Sequence, residues 1–207
     1  MKKYLIILVS WLAVSCNHTE TRKLPYYDSP DFTPKWTLPV GTNFHQIRAF
    51  SLTNQENEIF TEKDITGKIC VVDFFFTTCP GICPKLANSM SDLQREFLTD
   101  DNILLLSHSV MPDRDSVSVL KEYAKKKGVN FLKWKLLTGD REAIYDLGRN
   151  HYFVEEDEGV KRTSDVFLHT ENFVLIDKDR HIRGIYNALD PDSMLALIDD
   201  IKVLQKE

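Results

Sequence analysis

The sequence predicts a single α/β domain, and three observations lead to that fold class. An apolar run over residues 69–76 is typical of a strand buried on both faces. Directly after it, residues 83–97 place apolar side chains at helical spacing. Near the end of the chain, residues 172–177 and 182–186 predict a hairpin, which an amphipathic helix at 192–204 follows. With 207 residues, 43% of them hydrophobic, the chain can bury one sizeable core.

The remaining elements keep the alternation of strand and helix. Residues 44–52 and 57–60 predict a short N-terminal hairpin ahead of the buried strand. The first helix has Pro84 in its first turn, where the missing N–H costs nothing. After it we expect a buried strand at 103–110, a helix at 116–127 ended by Gly128, a strand at 131–137 and a helix from about 140 to 150. An alternation that closes with a hairpin and a helix is what a thioredoxin-like fold requires.

The first fifteen residues predict a signal peptide. Lys2 and Lys3 precede an apolar run at 4–14, which is well short of the ~20 residues needed to span a bilayer. The run ends in the sequence LAVSC, which resembles a bacterial lipobox that is cleaved so that Cys16 carries a lipid. We therefore expect a membrane-anchored lipoprotein on the extracytoplasmic, periplasmic side of a bacterium. The alternative interpretation is a plain signal peptide, or an uncleaved anchor with Cys16 unmodified.

Residues 16–40 predict a proline-rich tether between this anchor and a domain at 41–207. They hold four of the eight prolines among polar residues without a steady apolar period. Such a segment would let the folded domain reach partners at the membrane surface. The net charge of −5 offers no large cationic surface for phosphates, so nucleic acid is not expected as a partner.

The chemistry centres on Cys79 and Cys83, in the sequence CPGIC at the junction between a predicted strand and a predicted helix. Two cysteines four residues apart at a helix start lie on one face, close enough to form a disulfide or to bind one metal ion. The helix N-terminus favours negative charge, so we expect a lowered pKa for at least one thiol, in the first place Cys79. A static disulfide of an exported protein is the plainest alternative.

A nearby histidine would shift this pair from redox chemistry toward a copper or zinc site. The candidates are His108, at the carboxyl end of a buried strand, and His169, just before the strand at 172. The pattern of the residues leaves both open. The other four histidines are expected in solvated positions: His18, His45, His151 and His181. Cys70, in the middle of the buried strand, is expected to be a small core residue.

Residues 77–84, with the sequence TTCPGICP, resemble the hallmark of the Sco/SenC copper-binding proteins. The similarity continues through residues 109–115, Trp134 to Gly139, and the segment from His169 through 183, and it covers roughly residue 41 to the end of the chain. The resemblance implies a thioredoxin-like factor that serves assembly of the copper centre in cytochrome c oxidase subunit II. It also implies a copper ion held by Cys79, Cys83 and His169, with His108 outside the ligand set.

Three positions depart from the family pattern. Gly81, Met111 and Leu168 stand where the family commonly has acidic residues, which changes the negative charge around the site. The expected function is that of a copper metallochaperone, which is a stoichiometric binder rather than an enzyme. The alternative is an extracytoplasmic thiol–disulfide oxidoreductase with Cys79 and Cys83 as its redox-active pair. His169 discriminates the two functions, because an oxidoreductase needs only the cysteines.

Overall fold

Seven strands form one mixed sheet in the computed structural model, which describes residues 22–39, 44–154 and 170–207. The strands are β1 (Ser51–Asn54), β2 (Ile59–Thr61), β3 (Ile69–Phe75), β4 (Ile103–Ser109), β5 (Trp134–Thr138), β6 (Asn172–Ile176) and β7 (Ile182–Asn187). Their order across the sheet is β2-β1-β5-β4-β3-β6-β7. β3, β4 and β5 are parallel to one another, whereas the two outer hairpins, β1–β2 and β6–β7, pair antiparallel to them.

Helices cover both faces of this sheet. They are α1 (Glu62–Ile65), α2 (Cys83–Glu96), α3 (Val117–Lys127), α4 (Arg141–Asp146), which a π-helical turn (Leu147–His151) extends, and α5 (Pro191–Leu204). The predicted α/β alternation and both predicted hairpins are confirmed. Gly128 ends α3 with a φ of 68°, the left-handed conformation that glycine adopts without strain.

β3 is the strand that organises the core. It pairs with β4 on one side and β6 on the other, and all of its residues are buried. Ile69, Val71 and Phe75 face α2, α3 and α5, whereas Val72 and Phe74 face the second core beneath the π-helical turn. This two-sided burial explains why the strand reads as an unbroken apolar run.

One helix and two strand boundaries differ from what the sequence predicts. The helix α1 was not expected; Thr61 and Asp64 start it with a reciprocal capping box. β5 begins at Trp134 instead of residue 131, because residues 131–133 form a turn closed by hydrogen bonds to the Asn130 carbonyl. The strand predicted from residue 44 begins only at Ser51.

Much of the predicted tether packs on the domain. Leu24 is buried, and the backbone of Tyr27 bridges Ile182 of β7. The buried guanidinium of Arg183 donates hydrogen bonds to the carbonyls of Pro25 (3.0 Å) and Leu24 (2.9 Å). Residues 22–39 therefore cover an edge strand that would otherwise have unpaired backbone groups.

The predicted signal peptide and Cys16 lie outside the described residues. Within the parts of the chain that the structure describes, no helix is both long and apolar enough to cross a membrane.

Candidate metal and thiol site

The turn between β3 and α2 carries the two cysteines. Cys79 lies in the turn, where its N–H donates to the Phe76 carbonyl at 3.3 Å. Cys83 is the first residue of α2, and Pro84 occupies the first helical turn as predicted. Ile82 precedes the helix and offers no side-chain cap, so the first backbone N–H groups of α2 remain available to Cys79.

Cys79 is the more acidic of the two thiols. Burial raises the pKa of Cys79, but hydrogen bonds from the Cys83 thiol and from the N–H groups of Cys83, Gly81 and Ile82 outweigh burial and lower it. Burial and the bond to Cys79 raise the pKa of Cys83 to about 12. The predicted lowering of the Cys79 pKa is thus confirmed. Both cysteines are free thiols in the structure.

Asp73 is a buried carboxyl group beneath the cysteine turn that the sequence did not single out. It lies on β3 opposite Ser107, which hydrogen-bonds one carboxyl oxygen; the other has no hydrogen-bond partner among the described residues. Burial raises the pKa of Asp73 to about 7. Its charge also contributes to the raised pKa of Cys83, so the two groups oppose each other's ionisation. The sequence contains one indication of this group, because Asp73 is a charged residue inside the apolar run at 69–76.

Asp115 holds the approach to the cysteine turn in place. Its carboxylate accepts hydrogen bonds from the Thr77 N–H (3.1 Å), the Thr77 hydroxyl (2.5 Å) and the Ser109 hydroxyl (2.6 Å). Asp115 is itself buried. Asp115 is the last residue of the motif at 109–115. That motif therefore supplies the side chain that positions the segment leading into the cysteine turn.

His108 faces away from the cysteines. Its ring stacks on Phe74 at 5.1 Å and contacts Phe50 and Tyr152, all three of which belong to the second core. Cys83 belongs to the first core, on the opposite face of the sheet. Burial lowers the pKa of His108 to about 3, so the ring is neutral. His108 is a core histidine, which agrees with its place outside the implied ligand set.

His169 lies outside the described residues, but the chain that follows it is described. β6 pairs antiparallel with β3, with Val72 opposite Val174. Continuing this register places Thr170 beside Phe76, at the edge of the sheet that carries the cysteine turn. Among the described residues no three His, Cys, Asp or Glu side chains come together as a metal site.

Of the four histidines expected in solvated positions, the structure describes three, and His18 lies outside the described residues. His181 is buried against Tyr26 and Phe44, so the expectation of a solvated position was wrong. The reason is the N-terminal segment, which covers the hairpin turn. His45 and His151 are half-buried and stack on each other at 5.9 Å, so they are not fully solvated either. Cys70 is fully buried in the second core, as predicted, and burial raises the pKa of its thiol.

Two departures from the family pattern have a structural setting. A Cβ added at Gly81 would meet the Cys79 sulfur at 3.9 Å, an ordinary contact, so the turn has room for a side chain there. Met111 packs against the second core, where an acidic group would be desolvated. Leu168, the third departure, lies outside the described residues.

Comparison with known proteins gives a consistent family match. A family model described as SCO1/SenC matches residues 41–204. A SCO1/SenC family lipoprotein from Bacillus anthracis str. Ames has a solved structure with 29% identity and a TM-score of 0.67, covering 78% of this chain and 95% of that one.

Two further solved structures carry information about function. BsSco, a member of the Sco family of cytochrome c oxidase assembly proteins in which a disulfide switch was identified, is 26% identical with a TM-score of 0.63, covering 77% of this chain and 93% of that one. ScoI of Bradyrhizobium japonicum, solved with copper bound, is 25% identical with a TM-score of 0.58, covering 73% and 97%.

Proposed function

The chain belongs to the SCO1/SenC family, and from that premise we propose that it is a copper metallochaperone for cytochrome c oxidase assembly. The observation that carries the proposal is the dithiol at the start of α2, with Cys79 poised to ionise. Thiolates are soft ligands that select Cu(I), and a neutral imidazole also suits copper. The copper-bound structure of the Bradyrhizobium japonicum relative supports the choice of metal.

The proposed ligands are Cys79, Cys83 and His169. Thr170 directly follows His169 in the chain and lies at the sheet edge of the cysteine turn, which supports this third ligand. His108, the rival candidate, packs into the core on the opposite face. Two thiolates and one imidazole make a three-coordinate site for Cu(I), to which an oxygen ligand or water can add for Cu(II).

The site takes up copper and passes it on. Both steps depend on the protonation of the thiols, because the thiolate is the form that binds the ion. Cys79 is the first ligand, because its pKa is lowered. Cys83 must lose its proton on binding, because its pKa of about 12 keeps the free thiol protonated. Release follows by stepwise exchange of ligands with an acceptor's own cysteines and histidines. We propose subunit II of cytochrome c oxidase, or a similar copper protein, as that acceptor.

Anaerobic titration with Cu(I) tests the site directly. We expect the reduced protein without residues 1–21 to bind one equivalent and to release protons as it does so. Cys79→Ser, Cys83→Ser and His169→Ala should each lower the affinity roughly 100-fold or more, since a lost ligand is worth about 3 kcal/mol or more. Cys70→Ala and His45→Ala are the matched controls and should bind like wild type. Tight binding that survives His169→Ala would remove His169 from the ligand set.

The alternative function is that of a thiol–disulfide oxidoreductase. It is favoured by the asymmetry of the pair, in which a stabilised Cys79 thiolate could attack a disulfide while Cys83 stays protonated. A disulfide switch was identified in the relative BsSco, which supports this alternative. Rapid reduction of a disulfide by a protein that binds no copper tightly, unaffected by His169→Ala, would support this function over the first.

We also propose that Cys16 carries a lipid that anchors the protein on the extracytoplasmic side of the membrane. The Bacillus anthracis relative is described as a lipoprotein, which supports the lipobox interpretation. Expression in a bacterium fed a radiolabelled fatty acid should label the wild type and leave Cys16→Ala unlabelled. Cys70→Ala, which keeps Cys16, should be labelled like wild type. Label retained by Cys16→Ala would contradict the anchor.

A further inference from the structure

An open groove lies between the N-terminal segment, the start of β7 and the end of α5. Its volume is about 750 Å³. The side chains of Trp36 and Leu38 line it and are 64% and 38% exposed, although large apolar side chains are usually buried. A tryptophan that is exposed to solvent beside a groove indicates a surface that something covers.

The groove is cationic as well as apolar. Its lining contains four basic residues and one acid: Arg22, Lys23, Arg183, Lys206 and Glu207. Arg183 is neutralised by Asp177 and Glu207, and Arg22 pairs with Asp200 while staying largely exposed. Lys23 and Lys206 are exposed and have no carboxylate partner among the described residues. The two lysines therefore give the rim of the groove unpaired positive charge.

The groove and the cysteine pair lie at opposite ends of the sheet. Ile182, the first residue of β7, aligns through Ile176 of β6 with Cys70, near the start of β3. α5 returns to this end, where the Leu204 carbonyl accepts from the Lys178 ammonium. The cysteines follow the other end of β3, a strand of seven residues and thus roughly 20 Å long.

The length of chain before the groove sets its distance from the proposed anchor. Five residues lie between Cys16 and Arg22, and the six Cα–Cα steps from one to the other span at most about 20 Å when fully extended. A lipid on Cys16 would hold the Arg22 end of the groove within that distance of the bilayer. Attraction between a basic rim and anionic headgroups acts over about a Debye length. A chain segment of at most about 20 Å keeps the groove close enough to the bilayer for the rim to come within that range.

We propose that this groove docks on the surface of an anionic bilayer, with Trp36 at the headgroup level and Lys23 and Lys206 against lipid phosphates. The proposal rests on the lipid anchor at Cys16. Trp prefers the membrane interface, and each basic residue near an anionic surface contributes about 1 kcal/mol. Docking in this way turns the cysteine pair away from the bilayer, toward the extramembrane part of a copper acceptor.

The fluorescence of Trp36 provides the test. The mature protein, which begins at the lipidated Cys16 and therefore lacks Trp11, is reconstituted in vesicles of brominated phosphatidylcholine, with or without brominated phosphatidylglycerol. Trp134 is only 1% exposed, so a Trp36→Phe variant measures the background emission. We expect the brominated lipid to quench Trp36 in the anionic vesicles and much less in the zwitterionic ones. Lys206→Glu should reduce the docked-to-undocked ratio roughly fivefold or more.

Lys85→Glu is the matched control. Lys85 is exposed at the start of α2, at the other end of the sheet, and the substitution changes the net charge equally. It should leave quenching unchanged. Quenching that is equal with and without phosphatidylglycerol, or equal in Lys206→Glu and wild type, overturns the docking proposal. Protein that does not float with the vesicles overturns the anchor and docking together. Concentration-dependent protection of Trp36 from acrylamide without vesicles assigns the groove to a second copy of the chain instead.

Discussion

Asp73 shows how one residue links the stability of the core to the chemistry of the site. Its carboxyl group is buried in β3 with a single hydrogen-bonded oxygen, and burial raises its pKa to about 7. When it ionises, its charge opposes ionisation of Cys83. The Cys83 thiol, with its pKa raised to about 12, therefore stays protonated near neutral pH, whereas the pKa of Cys79 is lowered.

The protonation of Asp73 predicts a pH-dependent stability. An unfolded Asp titrates near 3.9, whereas the folded carboxyl holds its proton to about 7. Between these values the folded state binds the extra proton, so the unfolding free energy falls as pH rises. An asparagine cannot titrate, so Asp73→Asn removes this fall in the unfolding free energy. The gain in stability of the reduced, metal-free protein should be larger at pH 8 than at pH 5, and the two gains should differ by roughly 2–3 kcal/mol. Urea unfolding at both pH values measures this difference.

The control for this experiment is Asp113→Asn, since the Asp113 side chain is 78% exposed. It should show no comparable gain at pH 8. A loss of stability in Asp73→Asn at pH 8, or an equal effect at both pH values, would mean that folding does not raise the pKa of Asp73.

At the scale of elements, the segment 22–39 behaves as part of the domain. It buries Leu24 and supplies two carbonyl acceptors to Arg183, whose guanidinium also lies 4.0 Å from the centre of the Tyr26 ring. The prolines in this segment suggest a tether, but they do not prevent it from packing on the domain. A segment without regular secondary structure can still form hydrogen bonds with the backbone and side chains of the edge strand beneath it.

Removing this segment should destabilise the fold. A protein that starts at Gly41 is expected to lose roughly 3 kcal/mol or more of unfolding free energy relative to one that starts at Arg22, through the lost burial of Leu24 and the lost bonds to Arg183. Leu24→Ala in the longer protein should cost about 2–3 kcal/mol by itself. Chemical denaturation of the three proteins measures this. Equal stability would show that residues 22–39 are dispensable for folding.

At the scale of the whole molecule, the sheet separates two surfaces. The carboxyl end of β3 carries the cysteine turn, and the opposite end carries the basic groove. The chain enters the described structure at Arg22, beside the groove. Such an arrangement suits a protein held at one end and reactive at the other, since neither surface obstructs the other.

The sequence by itself determined most of the helices and strands and the cysteine turn, because these depend on local patterns. The apolar run of β3, the Pro84 helix start and the Gly128 cap are each encoded within a few residues. The position of Cys79 before a helix was enough to predict its lowered pKa. The resemblance of residues 77–84 and the motifs behind them led to the family that the comparisons confirm.

Only the tertiary structure decided what depends on pairing and packing between distant segments. His108 and Cys83 lie on opposite faces because strand side chains alternate, and the register of β4 against β3 sets which face His108 takes. Asp73 lies near Cys83 because α2 folds back over β3, and His181 is buried because residues 22–39 cover it. No local pattern contains this information, since each contact depends on how separate strands, helices and segments pack against one another.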